Sequence, residues 1–201
     1  MRCKNLGINS LLAIVVILLA AATEARAGDG IVDEIKLGFL SADTGIGGTK
    51  VEHGLDINGE ILFKAPQWLV SADDPEWAKI LLAPRPDIGF TANTAGGTSF
   101  GYIGLNWTVD LARNIFDDHD GVYFSWGMGG AINNSDLNGD NDGDNNKDMG
   151  SRALFHLYAE LGYDVTQHVN LSVFYEHYSN AGLGTTNPGM NNLGMRLGYK
   201  F

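Results

Sequence analysis

The chain has 201 residues, with one cysteine, 27 glycines, 5 prolines and a formal net charge of −11. This acidic balance argues against a nucleic-acid partner, because phosphate binding needs positive charge. The cysteine, Cys3, lies in a segment that we predict to be removed, so the remaining chain has no internal disulfide to stabilise it.

The N-terminus has the pattern of a secretory signal peptide. Basic residues precede an unbroken apolar run at 11–22, and a small-x-small cleavage site ends at Ala27. A membrane anchor is the alternative, but a spanning helix needs about 20 apolar residues. We therefore predict a signal peptide over 1–27 and one domain over 28–201.

Eight segments of the predicted domain alternate apolar residues with polar or small ones, which is typical of β-strands. Several approach the length of about 9–11 residues that a tilted transmembrane strand needs. In chain order their apolar faces run over Ile35–Phe39, Leu55–Phe63, Ile88–Phe90, Ile103–Val109, Val122–Met128, Ala153–Tyr163, Val169–Tyr175 and Leu193–Phe201.

The connections fit an up-and-down order of these strands. Four of them form one set, at 41–54, 92–99, 133–152 and 178–192, and three form the other, at 64–84, 111–120 and 164–168. The connection at 64–84 contains a predicted helical stretch around Glu76 to Leu82, to which we assign no function.

Alternation alone does not decide which face meets lipid, because a soluble β-sandwich shows the same period. Three features favour a membrane barrel: the predicted export, aromatic residues in nearly every strand, and a last strand that ends on Phe201. That ending resembles the signal by which barrel-insertion machinery recognises outer-membrane proteins. We predict an all-β, eight-stranded, antiparallel, up-and-down transmembrane β-barrel.

Polar residues on the opposite faces of the strands are predicted to point into the barrel. They could form a pore, an active centre or a structural network. We favour the structural network, because side chains fill a barrel of this size. We expect Glu176 to pair there with Arg196 or Lys200. The set is Asp56, Glu60, Arg85, Asp87, Asn106, Asp110, His156, Glu160, Glu176 and Arg196.

The end of the seventh strand carries the residues that suggest chemistry. His177 and Ser179 are two positions apart and therefore share a face, which parity makes the apolar, lipid-facing one. A histidine can take the proton of a serine that attacks an ester carbonyl. Taken alone, a His-x-Ser triplet is weak evidence, because a histidine at the rim of a barrel often only contacts water.

The residues around this pair resemble the lipid A 3-O-deacylase family (PagL-type, acyloxyacyl hydrolase-like). The resemblance rests on His177-Tyr-Ser-Asn-Ala-Gly-Leu183, Asn187-Pro-Gly189 and the closing G-x-x-x-G-Y-x-F. It implies His177 as catalytic base, Ser179 as nucleophile, and Asn180 with Gly182 in oxyanion stabilisation. For Asn180 and Gly182 a simple turn is the alternative.

One position departs from the pattern of the family. Where the family has a glutamate that orients the histidine, this sequence has Asn191. An asparagine carbonyl can accept the histidine N–H and fix its tautomer, but it brings no full charge. We therefore expect either a slower triad or a substitute acid.

The resemblance also implies a substrate and a location. It implies a serine esterase without a cofactor that hydrolyses the 3-position ester of lipid A (lipopolysaccharide) in the outer membrane of a Gram-negative bacterium. The alternative is a non-catalytic barrel that keeps the motif for lipid binding or structure. The sequence sets no oligomeric state.

The acidic loop at 136–148 is a weak candidate for a divalent cation. Counting from Asn138, Asp140 and Asp142 occupy calcium-loop positions, but Met149 stands where such a loop needs a glutamate. The simpler interpretation is an acidic loop exposed to solvent. The alternative hypothesis is that Ca²⁺ or Mg²⁺ bridges Asp140 and Asp142 to lipid A phosphates.

Overall fold

The computed structural model describes residues 30–137 and 145–201. The predicted signal peptide lies outside these residues and stays a prediction. Among the described residues, no helix is long and apolar enough to cross a membrane. The strands are β1 Val32–Ser41, β2 Leu55–Phe63, β3 Arg85–Asn93, β4 Phe100–Arg113, β5 Gly121–Asn133, β6 Ala153–Asp164, β7 Val169–Ser179 and β8 Met190–Lys200.

The eight strands form a closed barrel in sequence order. Each strand pairs antiparallel with the next, and β8 pairs back onto β1, with Leu37 opposite Leu197. Closure leaves the sheet without an edge strand, which a membrane requires of a β protein. The predicted up-and-down barrel is confirmed, and the soluble β-sandwich is excluded.

The outer face of the barrel is apolar along its whole circumference. Each exposed square ångström of such a surface costs about 25 cal/mol in water, whereas hydrocarbon accepts it. Exposed outward side chains from every strand belong to this face: Phe39, Leu55, Ile88, Phe90, Ile103, Leu105, Met128, Ile132, Phe155, Leu157, Leu161, Leu171, Val173, Leu193, Met195 and Leu197.

Charged side chains fill the interior. The Arg196 guanidinium donates to Glu60 at 2.9 Å and to Glu160, and Lys36 Nζ lies 2.6 Å from Glu160. All four residues are buried, so this is a structural network and not a pore. Of the predicted inward set, Asp110 differs: it is exposed at the end of β4.

The predicted pairing of Glu176 with Arg196 or Lys200 is wrong. The register between β7 and β8 places Glu176 opposite Asn192 and Arg196 opposite Ser172, four positions further along the barrel. Glu176 instead accepts a hydrogen bond from Asn192 Nδ2 at 2.9 Å. Parity predicted that both charges point inward, but not that they lie at different heights.

Glycines make room for the large side chains of the interior. The ring of Tyr158 lies against Gly127, and that of Tyr123 lies against Gly162, so a Cβ at either glycine would overlap the ring. The neighbouring strands thus accommodate the rings, and the Tyr123 hydroxyl donates to Glu160 at 2.7 Å. This packing explains part of the high glycine content.

A helix interrupts the connection between β2 and β3, as predicted. We call it α1; it spans Glu76–Leu82 and follows a single 3-10 turn at Gln67–Leu69. The Trp107 indole on β4 donates to the carbonyl of Leu81 at 3.1 Å, which holds α1 beside the outer face of the barrel.

At the opposite end, which we call the loop end, a buried polar network joins three connections. The carboxylate of Glu52 accepts the backbone N–H groups of Thr98 and Lys147, each at 2.7 Å. The Lys147 ammonium lies 3.1 Å from Asp43, and both side chains are buried. Burial raises the pKa of Glu52, against the hydrogen bonds that lower it. The network joins the 42–54 loop to the loops that contain Thr98 and Lys147.

Candidate active site

His177 and Ser179 lie on the outward face at the loop end of β7. Their side chains are half-buried. The side chains of the adjacent residues Glu176 and Tyr178 are buried in the barrel interior. The strand runs to Ser179, two residues into the predicted connection at 178–192, because Ser179 still pairs with Phe155 on β6. The shared face predicted from parity is therefore present.

His177 stands directly opposite Asn191 on β8. The register pairs the two residues, and His177 Nδ1 lies 2.6 Å from Asn191 Oδ1. An amide oxygen can only accept, so this contact requires the proton on Nδ1. His177 Nε2 then carries a lone pair, which is the state that a general base needs.

Two further groups surround the side chain of Asn191. The Tyr175 hydroxyl donates to Asn191 Oδ1 at 2.6 Å, and Asn191 Nδ2 donates to the carbonyl of Ile46 at 2.7 Å. Although Asn191 is on the outward face, only 4% of it is exposed. Parity could have identified Tyr175, which shares the face of His177. Nothing in the sequence indicated Ile46, because its contact crosses from a distant loop.

Ser179 ends β7, and its hydroxyl has no hydrogen-bond partner among the residues that the structure describes. Across residues 30–137 and 145–201, no hydrogen bond joins the Ser179 hydroxyl to the ring of His177. Such contacts are commonly long in enzymes without substrate and tighten when the substrate binds. The structure thus brings His177 and Asn191 into contact and leaves Ser179 beside them on the same face.

The turn after Ser179 has the two consecutive left-handed residues Ala181 and Gly182, with φ of 53° and 79°. Gly182 tolerates this conformation freely, whereas Ala181 holds it at a cost. The Gly182 N–H donates to Asn180 Oδ1 at 2.9 Å. The predicted oxyanion donor at Gly182 is therefore engaged within the turn.

The side chain of Asn180 braces the neighbouring loops. Its Nδ2 donates to the carbonyl of Met149 at 2.9 Å and to that of Thr186 at 2.5 Å, and the residue is buried. Both amide hydrogens therefore have partners within the protein. Its own backbone N–H donates to Asn187 Oδ1 at 3.0 Å. The oxyanion role of Asn180 stays a prediction.

Gly189 lies against the imidazole ring of His177, the candidate catalytic base. Its φ is +64°, and a Cβ at this position would come within 3.2 Å of His177 Cε1. A larger residue would be strained and would press on the imidazole ring. The Asn187-Pro-Gly189 part of the motif thus supplies space for His177.

An open groove of about 500 Å³ runs beside the site on the β5–β6 side. Phe155, the cross-strand neighbour of Ser179, lines it together with Leu183 from the turn and Gly130 from β5. Its walls are largely apolar. The predicted cation ligands Asp140 and Asp142 lie outside the described residues, so that hypothesis stays a prediction.

Comparison with known proteins connects this site to a family. The family model described as "Lipid A 3-O-deacylase (PagL)" matches residues 68–200, which include β3 to β8 and both the 177–183 and the 187–189 parts of the motif. The sequence has no significant match among curated proteins.

Two solved structures are similar in fold. The outer membrane enzyme PagL aligns at a TM-score of 0.57 and 16% identity, over 83% of this chain and 99% of that one. Neisserial surface protein A (NspA) aligns at a TM-score of 0.49 and 14% identity, over 85% and 96%. The first comparison supports the outer-membrane barrel fold. Because the family model matches well over half of the chain, the protein belongs to the lipid A 3-O-deacylase (PagL) family.

Proposed function

We propose that this protein is a serine esterase that hydrolyses the 3-position ester of lipid A in the outer leaflet of the outer membrane. The observation that carries the proposal is the 2.6 Å contact between His177 Nδ1 and Asn191 Oδ1. His177 precedes Ser179 by two residues on β7, and both side chains lie on the outward face. A lipid substrate would reach this face within the membrane itself.

In the proposed reaction, Ser179 Oγ attacks the ester carbonyl carbon while His177 Nε2 accepts the hydroxyl proton. The tetrahedral intermediate collapses, and His177 returns the proton to the departing sugar hydroxyl. A water molecule, deprotonated by the same nitrogen, then attacks the acyl-serine. The second collapse releases a 3-hydroxy fatty acid and restores Ser179.

The turn that follows Ser179 supports the oxyanion. The N–H groups of Asn180 and Gly182 already donate to the side-chain oxygens of Asn187 and Asn180, respectively. The N–H of Ala181 has no partner among the described residues, which leaves it available for the developing negative charge. The left-handed backbone at Ala181 is a reason to expect that this donor is held in one orientation.

The groove lined by Phe155 and Leu183 has room for part of an acyl chain. A fatty chain there would lie beside Ser179 and continue into the surrounding hydrocarbon. We assign the protein to the outer membrane of a Gram-negative bacterium, with export directed by residues 1–27. Recognition of Phe201 by the barrel-insertion machinery belongs to the same proposal.

A non-catalytic lipid-binding barrel is the second candidate. Two observations favour it: Asn191 supplies no charge to an imidazolium, and Ser179 is not hydrogen-bonded to His177. This candidate predicts that the outward site binds lipid A and leaves its esters intact.

The test is to incubate purified, folded protein in detergent micelles with lipopolysaccharide and measure free 3-hydroxy fatty acid. Heat-modifiable electrophoretic migration verifies the folded barrel. We expect release by the unmodified protein and none by Ser179→Ala or His177→Ala. Ser172→Ala, which changes an inward serine on the same strand, is the matched control and should retain activity. Absence of release by the folded protein would favour the lipid-binding candidate.

A further inference from the structure

Asn191 stands where the family pattern has a glutamate, and its side-chain amide must have one particular orientation toward His177. A carboxylate has no such requirement. A carboxylate has two equivalent oxygens, whereas an amide has one acceptor end and one donor end. If the donor end of Asn191 faced His177, it would donate to Nδ1 and force the ring proton onto Nε2. That nitrogen could not then accept the proton of Ser179.

The carbonyl of Ile46 distinguishes the two orientations. In the observed one, Asn191 Nδ2 donates to it at 2.7 Å. In the reversed one, two oxygens would face each other at that distance without a proton between them. The Tyr175 hydroxyl discriminates less, because a hydroxyl can turn and either donate or accept.

The position of the Ile46 carbonyl depends on the 42–54 loop. The Thr44 N–H donates to the carbonyl of Asn191 at 2.7 Å, and the Asp43 N–H donates to Asn192 Oδ1 at 2.9 Å. The buried ion pair of Asp43 with Lys147 holds the start of this loop in place. The loop is therefore anchored to β8 at Asn191, whose side-chain amide it orients, and at the adjacent Asn192.

We infer that the Ile46 carbonyl locks the orientation of Asn191 and thereby selects the tautomer of His177. Ile46 and Tyr175 are positioning residues, which act on the ester only through Asn191 and His177. The inference rests on the proposed function for its effect on turnover, but the tautomer itself is measurable without any substrate.

Gly47 offers a way to disturb the lock. It follows Ile46, its φ is +73°, and no atom lies within 4 Å of a Cβ built there. Gly47→Ala therefore introduces backbone strain beside the Ile46 carbonyl without a steric clash. Gly96→Ala is the matched control, because Gly96 has a φ of +87° and equally open space, on the loop between β3 and β4.

The experiment is ¹⁵N NMR of histidine-labelled protein at about pH 9, where histidine is ordinarily neutral. His177→Ala identifies the signal of His177 among those of the five histidines. We expect the Nδ1–H tautomer in the unmodified protein and in Gly96→Ala. In Gly47→Ala part of the signal should move to the Nε2–H tautomer, with kcat reduced roughly fivefold and KM unchanged.

The substitution Asn191→Asp provides a rescue, because a carboxylate has no wrong end. In that background Gly47→Ala should change neither the tautomer nor kcat. A His177 tautomer that is the same in Gly47→Ala as in the unmodified protein would overturn the inference, even if the enzyme is active. If Gly47→Ala shifts the tautomer but the unmodified protein has no esterase activity, the role of Ile46 is supported and the proposed function is rejected.

Discussion

His177 and Asn191 face each other across β7 and β8, with His177 Nδ1 2.6 Å from Asn191 Oδ1. In the proposed site Asn191 would orient His177, but this partner is neutral. The tautomer is fixed as it would be by an acid, whereas the charge that an acid would supply to the imidazolium is missing.

Asn191→Asp should therefore accelerate turnover. A charge-assisted hydrogen bond is about twice as strong as a neutral one, which gives roughly 1 kcal/mol more stabilisation of the imidazolium in the transition state. We expect a kcat about fivefold higher. Repulsion between the new carboxylate and the Ile46 carbonyl is present before and during the reaction, so it lowers stability and not kcat. Initial rates of fatty acid release measure the effect, and an unchanged or reduced kcat would contradict it.

Asn180 is predicted to act mainly through the loops it braces. Asn180→Ala removes the hydrogen bonds to the carbonyls of Met149 and Thr186. Amide hydrogen exchange should accelerate in the 180–189 loop, and KM should rise as the turn loosens. A loss of kcat with unchanged exchange and KM would instead support the direct oxyanion role.

The interior network should be sensitive to the loss of one partner. Arg196→Met leaves Glu60 and Glu160 buried without their common partner, which typically costs about 3–5 kcal/mol. Lys79→Met is the control, because Lys79 forms an exposed pair with Glu76 worth about 0–1 kcal/mol. Urea unfolding in lipid vesicles measures both. Equal effects of the two substitutions would contradict the assignment of the network.

The loop end should become less stable as pH rises. Burial raises the pKa of Glu52 above its usual value of 4.5, so the folded loop binds the proton more tightly than the open loop. The stabilisation is fully present below the pKa of the open loop and is lost as pH increases through the folded value. Hydrogen exchange at the Thr98 and Lys147 amides, corrected for intrinsic rates, should show protection that decreases over this range. Glu52→Gln should abolish the pH dependence of that protection.

Much of the fold was predictable because a barrel strand has a strict period of two. Parity placed His177, Ser179 and Asn191 on one face, since the side-chain direction follows from position alone. Parity does not give the position of a side chain along the barrel axis, and for this reason the expected pairing of Glu176 with Arg196 or Lys200 is wrong.

Contacts that cross from a loop were not predictable from the sequence. The Ile46 carbonyl reaches Asn191 over 145 positions, and it does so through a backbone atom that no residue type reveals. The engagement of Asn180 with its own loop was hidden for the same reason. The motif showed which residues belong to the site but not which of their hydrogen bonds were already used.

Ser179 is proposed to attack one particular ester of lipid A. The most direct measurement is tandem mass spectrometry of lipid A recovered after incubation with the folded protein and with Ser179→Ala. We expect the unmodified protein to yield lipid A that lacks only the 3-position acyl chain, and Ser179→Ala to leave the lipid intact. Loss of a chain from another position, or equal loss with both proteins, would contradict the account.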